Sequence, residues 1–494
     1  MSNQLNFLLN QALIFIQSGN CSGAQLLLKQ IIKASPNHSE ALRLSAVISA
    51  QDGNDDLALE MIEKAILADK RNGIAYSNRG NIQLSLGMLS EAISSYEIAI
   101  KLSPSYAEAY SNLGNAYQEL GENIKAIDLY KRAISIDPNN PEFFCNLGNA
   151  YWKLDLLIDA RKNYEGSIEL ASGHANSLHN LAHLDLREFN FSEGWSRYEA
   201  RWFASDQDKP KAINSSKPRW DGLPRNGRLF IWAEQGIGDQ ILYSSMLKDL
   251  ERYPQTKIVS VDKKLMPIFQ RSFPAIRIVD KDIEIPEEDY DEQIPMGSLG
   301  RILRSSAESF VGVKFPYLLP KLPQTYDLGL NKSAEGDIQC GISWKSSRAK
   351  LGVNKSIPIL SLAPLLSIKG INFINLQYGD VGDEISIAGD DLGVHIQIIE
   401  DINLYDDIDG LISILEACNI VVTTSNSTAH LAGALGKETL LLLPCGNSRF
   451  WYWHDIDNVS LWYPSIRIFK QEEQGNWLKP IQAVKAYLED RFGL

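Results

Sequence analysis

The sequence predicts an α-helical solenoid followed by two doubly wound, Rossmann-like α/β halves. Three observations carry this reading. Shifting the first 202 residues against themselves by 34 positions lays like residues on like without insertions. From Arg228 onward, short β-branched apolar runs alternate with helical patterns. That alternation breaks once, at a polar stretch near 323–336, and then starts again.

Length and composition frame the rest. A chain of 494 residues exceeds one hydrophobic core and divides into about three units at ~150 residues each. With 44% hydrophobic and 22% charged residues, it has an ordinary globular composition. The net charge of −13 excludes a general nucleic-acid or anionic-membrane binder, because either needs a broad basic surface. Any phosphate site must therefore be local. The 5 cysteines are widely spaced and form no CxxC pair, which argues against a disulfide framework or a zinc site. The N-terminus lacks a basic n-region and no apolar run approaches ~18 residues. A cytoplasmic protein without a transmembrane segment is expected.

The repeat assigns residues 1–202. One small-residue column holds Ala12, Ala46, Gly80, Gly114, Gly148 and Ala182, and a second holds Ala24, Ala58, Ala92, Ala126, Ala160 and Gly194. Gly19, Gly53, Gly87 and Gly121 mark turns, and Leu28, Ile62, Tyr96, Tyr130, Tyr164 and Tyr198 form a large-residue column. Small residues let two helices approach, the large residue fills the gap between hairpins, and Gly or Pro stops each helix. Six helical hairpins follow. At this period and composition the array resembles tetratricopeptide repeats.

Asn78, Asn112, Asn146 and Asn180 recur in register, with Asn81, Asn115 and Asn149 three places on. Such a ladder offers paired donors and acceptors to an extended peptide, a use that resembles the concave groove of O-GlcNAc transferase. The first column is the candidate acceptor groove. The alternative is that each Asn bonds the neighbouring hairpin. Phe191–Trp202 reads as an aromatic capping helix, residues 203–226 as a linker, and Trp220-Asp221-Gly222 as a docking turn.

The remaining chain is read as two halves, 227–325 and 326–494, facing a cleft, with the last helix crossing back to the first half. Ligands of such sheets sit beyond the carboxyl ends of the strands, so four loops become candidates. In Ala233–Gln240 the glycines free the backbone and Asp239 is either an N-cap or a general base for a hydroxyl nucleophile. The glycine spacing falls short of a full dinucleotide fingerprint, which argues against a nicotinamide-dependent oxidoreductase. In Lys345–Ser356 four cations, among them Lys345, Arg348 and Lys355, gather in an acidic chain and suit an anion. Gln377 lies in the third loop. The fourth, Ser425-Asn426-Ser427-Thr428, opens a short helix whose free N–H groups favour an anion. His430, one turn in, either reaches a phosphate or sugar oxygen or packs against a strand. The Trp- and Tyr-rich stretch 447–464 either stacks on a base or forms core. The acidic pairs Asp406-Asp407 and Asp455-x-Asp457 give no metal assignment.

At these residues the chain resembles bacterial proteins in which tetratricopeptide repeats are fused to a two-domain glycosyltransferase similar to ADP-heptose heptosyltransferases. The resemblance covers nearly the whole chain. It is carried by Phe191–Trp202, Trp220-Asp221-Gly222, AEQGIGDQ, GISW followed by KSIPI, INLQYG, SNSTAHLAGALG and LWYPSIRIF. It implies a GT-B fold and inverting, metal-independent transfer of a sugar from a nucleotide diphosphate donor to a protein or glycan hydroxyl, without a cofactor. The repeats would make protein contacts and recruit the acceptor. The proposed base of the group falls on Asp239, and its donor-binding turn on Ser425 to His430. Here the sequence departs from the group, whose Asp-Thr-Gly is replaced by Ser425-Asn426-Ser427. The acid that contacts the donor sugar is absent, while phosphate binding by the turn survives the change. A different class, a repeat scaffold that binds peptide partners and carries a silent GT-B domain, is compatible with the same departure.

Overall fold

The computed structural model describes residues 2–205, 210–321, 338–346 and 352–494. The chain divides into two compact units, Met1–Ser177 and Leu178–Leu494.

The first unit is a stack of antiparallel helix pairs. Ser2–Gln17 pairs with Cys21–Ala34, Ser39–Gln51 with Asp55–Ala68, Gly73–Ser85 with Leu89–Leu102, Ala107–Glu119 with Asn123–Ile136, and Pro141–Lys153 with Leu157–Leu170. The columns explain the packing. A Cβ at Gly80, Gly114 or Gly148 would lie 2.5, 2.7 or 2.6 Å from the ring of Tyr96, Tyr130 or Tyr164. Each of these tyrosines donates its hydroxyl to the second asparagine column, at 2.7 Å to Asn81, 2.7 Å to Asn115 and 2.8 Å to Asn149. One column thus fixes the helix spacing and the other satisfies the buried phenol. The turn glycines Gly19, Gly53, Gly87 and Gly121 all have φ between 75° and 81°, a region glycine enters without steric cost.

The sixth hairpin, Ala175–Arg187 with Phe191–Tyr198, begins at the division of the chain, and its second helix packs into the second unit. Trp195 is buried, donates Nε1–H to the Arg304 carbonyl at 2.8 Å, and fills a notch at Gly300 where a Cβ would meet its ring at 2.2 Å. The boundary expected at residue 202 therefore differs from the structure: the aromatic cap belongs to the core of the second unit. The expected linker is likewise seated in part. Trp220 is fully buried, its N–H donates to the Gln293 carbonyl at 2.9 Å, and Gln293 N–H donates to the Pro218 carbonyl at 3.0 Å.

The second unit holds two sheets. In the first, β1 (Arg228–Trp232), β2 (Thr256–Val261), β3 (Arg277–Asp280) and β4 (Glu292–Pro295) are all parallel, in the order β3-β2-β1-β4. In the second, the parallel strands are β5 (Ile338–Ser343), β6 (Ile371–Asn375), β7 (Ile396–Gln397), β8 (Ile420–Thr424), β9 (Thr439–Leu443) and β12 (Ile466–Lys470). A short antiparallel ribbon, β10 (Asp455–Ile456) and β11 (Val459–Ser460), extends the edge beside β12. The order β7-β6-β5-β8-β9-β12 is the 3-2-1-4-5-6 arrangement of doubly wound sheets, with the reversal between β5 and β8. The last helix, Leu478–Phe492, does not cross back. Its buried Ile481, Val484 and Leu488 join Leu440, Leu442 and Leu365 in a core made wholly of the second sheet's own elements, because its apolar stripe matches the face left open there.

Candidate functional site

At the first sheet's reversal, between β1 and β4, the chain fills its own crevice. Glu234, the second residue after β1, turns back so that Oε1 accepts from Gly297 N–H at 3.0 Å and from Arg201 Nη2 at 3.0 Å. Arg201 also donates to Ser298 Oγ at 2.9 Å and to Glu199 at 3.0 Å. Its guanidinium lies 4.5 Å from the ring centroids of both Tyr198 and Trp202. The Arg201 and Glu234 side chains are 2% and 1% exposed, so Arg201 is a desolvated cation that answers two carboxylates, Glu234 and Glu199. Burial pushes the Glu234 carboxyl up, against the opposing pull of Arg201. The sequence offers Tyr198 as a repeat-column residue and Glu234 as part of AEQGIGDQ, but it does not join them to Arg201, Gly297 and Ser298, because these partners lie far apart in the chain.

The helix that follows, Ile237–Ser244, is capped by Gly236. Asp239 is therefore in the first turn and is not the cap residue. Its loop is pinned by Gln235, whose Nε2 donates to Tyr198 Oη at 2.6 Å.

At the second sheet's reversal, the three loop ends after β5, β6 and β8 converge. After β5, Trp344 and Lys345 donate backbone N–H groups to Gln377 Oε1 at 3.0 and 2.7 Å. Gln377, 2% exposed, thus stitches the loop after β6 to the loop after β5. Lys345 pairs with Glu384, which also accepts from Trp344 Nε1 at 2.6 Å. Arg348 lies outside the described residues. After β8, Asn426 caps the helix Ser427–Ala434 by accepting from Ala429 N–H at 3.2 Å. Its Nδ2 donates to Ser343 Oγ and to the Lys345 carbonyl, each at 3.1 Å. Ser425 Oγ accepts from Trp453 Nε1 at 2.8 Å. Ser427 is half-buried, whereas the Thr428 hydroxyl is buried without a hydrogen-bond partner among the described residues.

Lys355 is 1% exposed, with Nζ 3.4 Å from the Phe450 ring centroid. A desolvated ammonium over an aromatic face is held by the ring quadrupole. Its backbone carbonyl accepts from Thr424 Oγ1 at 2.6 Å, tying it to the end of β8. Phe450 comes from the loop after β9, a fourth loop at the same edge, which also brings Arg449 and the buried hydroxyl of Ser448, without a hydrogen-bond partner among the described residues. The rule that selected the other loops, a strand end at the carboxyl edge, would have found it.

His430 packs. It is 3% exposed, stacks on Trp453 at 4.8 Å and shares a 2.8 Å hydrogen bond between Nδ1 and Tyr463 Oη. Burial pushes it down to about 3, with the Lys355 ammonium adding to the effect. The other face of the ring meets the first half: a Cβ at Gly238 would lie 3.0 Å from His430 Cδ2. The Asp239 carboxylate adds to the upward push that burial and Tyr317 exert on Tyr463. The aromatic stretch is core, with Trp451, Trp453, Trp462 and Tyr463 at most 4% exposed.

In the first unit, Asn112 donates to Ser77 Oγ at 3.4 Å and Asn146 to Ser111 Oγ at 3.3 Å, so both ladder residues bond the preceding repeat. Asn78 Nδ2 is buried with no partner among the described residues. Asn180 falls on Ala175–Arg187, past the division of the chain. Among the described residues no group of three or more His, Cys, Asp or Glu forms a metal cluster, and no helix is long and apolar enough to cross a membrane.

Family models for the tetratricopeptide repeat match residues 9–75, 80–121, 119–155 and 141–174. The N-terminal region is a tetratricopeptide-repeat array. Over 321 residues the chain is 30% identical to protein FlbA of Caulobacter vibrioides, a match covering 60% of this chain and 52% of FlbA. The chain thus spans about half the length of that relative, and the match is longer than the first unit and so enters the second. Among solved structures, MamA is 30% identical with a TM-score of 0.29, covering 32% of this chain and 92% of its own. A thermophilic repeat protein of Thermus thermophilus is 23% identical with a TM-score of 0.34, covering 37% of this chain and 99% of its own.

Proposed function

We propose that the chain is a GT-B glycosyltransferase that moves a sugar from a nucleotide diphosphate donor to a hydroxyl of a protein or glycan, with the repeats recruiting the acceptor. One observation carries the reading: at the carboxyl ends of β8 and β9, the buried Lys355 ammonium stands at one sheet edge with the hydroxyls of Thr428 and Ser448, which have no hydrogen-bond partner among the described residues. Buried polar groups without partners are what ligand oxygens satisfy. In this scheme the donor diphosphate lies over the helix entered at Ser427, Lys355 balances its charge, and Asp239 takes the proton of the acceptor hydroxyl as its oxygen attacks the anomeric carbon. The bond from that carbon to the diphosphate oxygen breaks with inversion. Stabilising the departing diphosphate is the largest contribution. No cofactor or metal enters the scheme.

A second reading has its own support. Lys345 is neutralised by Glu384, and the side chains of Asn426, Ser425 and Gln377 are spent on the protein itself. Those contacts favour a repeat scaffold for peptide partners whose second unit is silent. Calorimetric titration with a panel of nucleotide diphosphates and their sugars separates the two. The enzyme reading expects selective binding that Asp239→Asn leaves intact while abolishing transfer or donor hydrolysis. Heat from no member of the panel would leave the scaffold.

A further inference from the structure

The helix Ala175–Arg187 carries two histidines one turn apart, His179 and His183, a spacing that puts both on one face. Their Nε2 atoms are 3.0 Å apart, with ring centroids 4.6 Å apart and planes at 79°. Both rings lie 5.9 Å from the ring of Tyr198, which walls one side of the pair. The 3.0 Å separation has a chemical meaning. Imidazole nitrogen binds a divalent first-row cation at about 2.0–2.1 Å, so two nitrogens this far apart subtend about 90° at a shared ion. Among divalent first-row ions, nickel and copper are the ones such nitrogen ligands hold most tightly.

We infer that His179 and His183 form a bidentate site for a divalent first-row transition cation, of the nickel or copper kind. In the metal-free chain one Nε2–H donates to the other Nε2. On binding, that proton moves to Nδ1 of the same ring, so that two neutral imidazoles each present an Nε2 lone pair and no net proton is released. Water fills the other positions. The bound ion cross-links two turns of the first helix of the hairpin whose Tyr198 holds Gln235.

The test uses the full chain, freed of any affinity tag and stripped with chelator, titrated calorimetrically with nickel chloride and copper chloride. One ion per chain is expected, lost in His179→Gln and in His183→Gln and kept in the exposed control His395→Gln. The copper complex should show hyperfine coupling to two imidazole nitrogens in its electron paramagnetic resonance spectrum. Absence of uptake by the intact chain, or uptake that both variants retain, overturns the site. Circular dichroism of each variant separates a lost ligand from a lost fold.

Discussion

Gly238 and His430 touch across the seam of the second unit: a methyl group on Gly238 would stand 3.0 Å from Cδ2 of the imidazole. The helix carrying Asp239 and the helix entered at Ser427 therefore meet at a residue with little room for a side chain. This gives the second glycine of AEQGIGDQ a packing role, where the sequence suggested a freed backbone.

Gly238→Ala sets two effects against each other. Alanine gains up to about 1 kcal/mol in helix propensity, and overpacking a close contact costs about 1–3 kcal/mol. The imidazole is wedged between Trp453 and Tyr463 and has little room to yield, so net destabilisation is expected. A urea midpoint that rises in Gly238→Ala would show that the ring gives way freely.

In the repeats, the turn column continues where its glycines stop. Asp155 and Phe189 occupy the next two places with φ of 60° and 65°. Left-handed backbone costs a non-glycine residue about 1–2 kcal/mol. Asp155→Gly should therefore raise stability by about 1 kcal/mol, and Gly121→Ala, at φ 81°, should lower it by a similar amount. Paired urea melts of the two variants check the opposite signs. The Phe189 ring lies 4.8 Å from that of His454, and replacing it removes that contact as well as strain.

Two buried histidines make the second unit sensitive to acid. His430 sits at about 3 and His454 at about 4, each lowered first by burial, against about 6.5 in the unfolded chain. A lowered folded value means that the unfolded chain binds the proton first. The stability is thus complete above about pH 6.5 and drains away as the pH falls toward 4 and 3, by about 2 kcal/mol per histidine at about pH 5. His454 Nε2 bonds the Leu186 carbonyl at 2.6 Å, a contact that His454→Gln can imitate without titrating. Urea midpoints at neutral and mildly acidic pH should converge partway in that variant. An unchanged slope would mean that His454 does not titrate on unfolding.

What the sequence could announce depended on range. The 34-residue columns repeat locally, so their helices, turns and Gly–Tyr contacts were readable, as was the strand-and-helix alternation. The continued left-handed turn at Asp155 was hidden because the conformation persists after the glycine is gone. His430 was open between ligand and core until Trp453, Tyr463 and Gly238, all distant in the chain, closed around it. The candidate cations were visible as a run, but the pairing of Lys345 with Glu384 and the seating of Lys355 over Phe450 are tertiary facts. Periodicity reports faces and does not report which distant face arrives.

Arg201 and Glu234 give the sharpest test of how the last hairpin serves the loop that carries Asp239. Their side chains meet at 3.0 Å with 2% and 1% exposure, so removing Arg201 strands Glu234 in a poorly solvated place, whereas removing Glu234 leaves Arg201 its pair with Glu199 at 3.0 Å. Arg201→Met should cost about 3–5 kcal/mol, while Arg201→Met with Glu234→Gln together should recover much of that loss, because a well-filled neutral pair is often no worse than a buried ion pair. Glu234→Gln alone keeps a carbonyl for Gly297 N–H, now 3.0 Å from Oε1, and should fall between. Unfolding of all three variants closes a double-mutant cycle. A large positive coupling means that the cap of the array and the loop after β1 are locked by charge. Additive losses would mean that Trp195 in its Gly300 notch and the stacking of Tyr198 and Trp202 hold the hairpin, and that Glu234 is oriented by Gly297 alone.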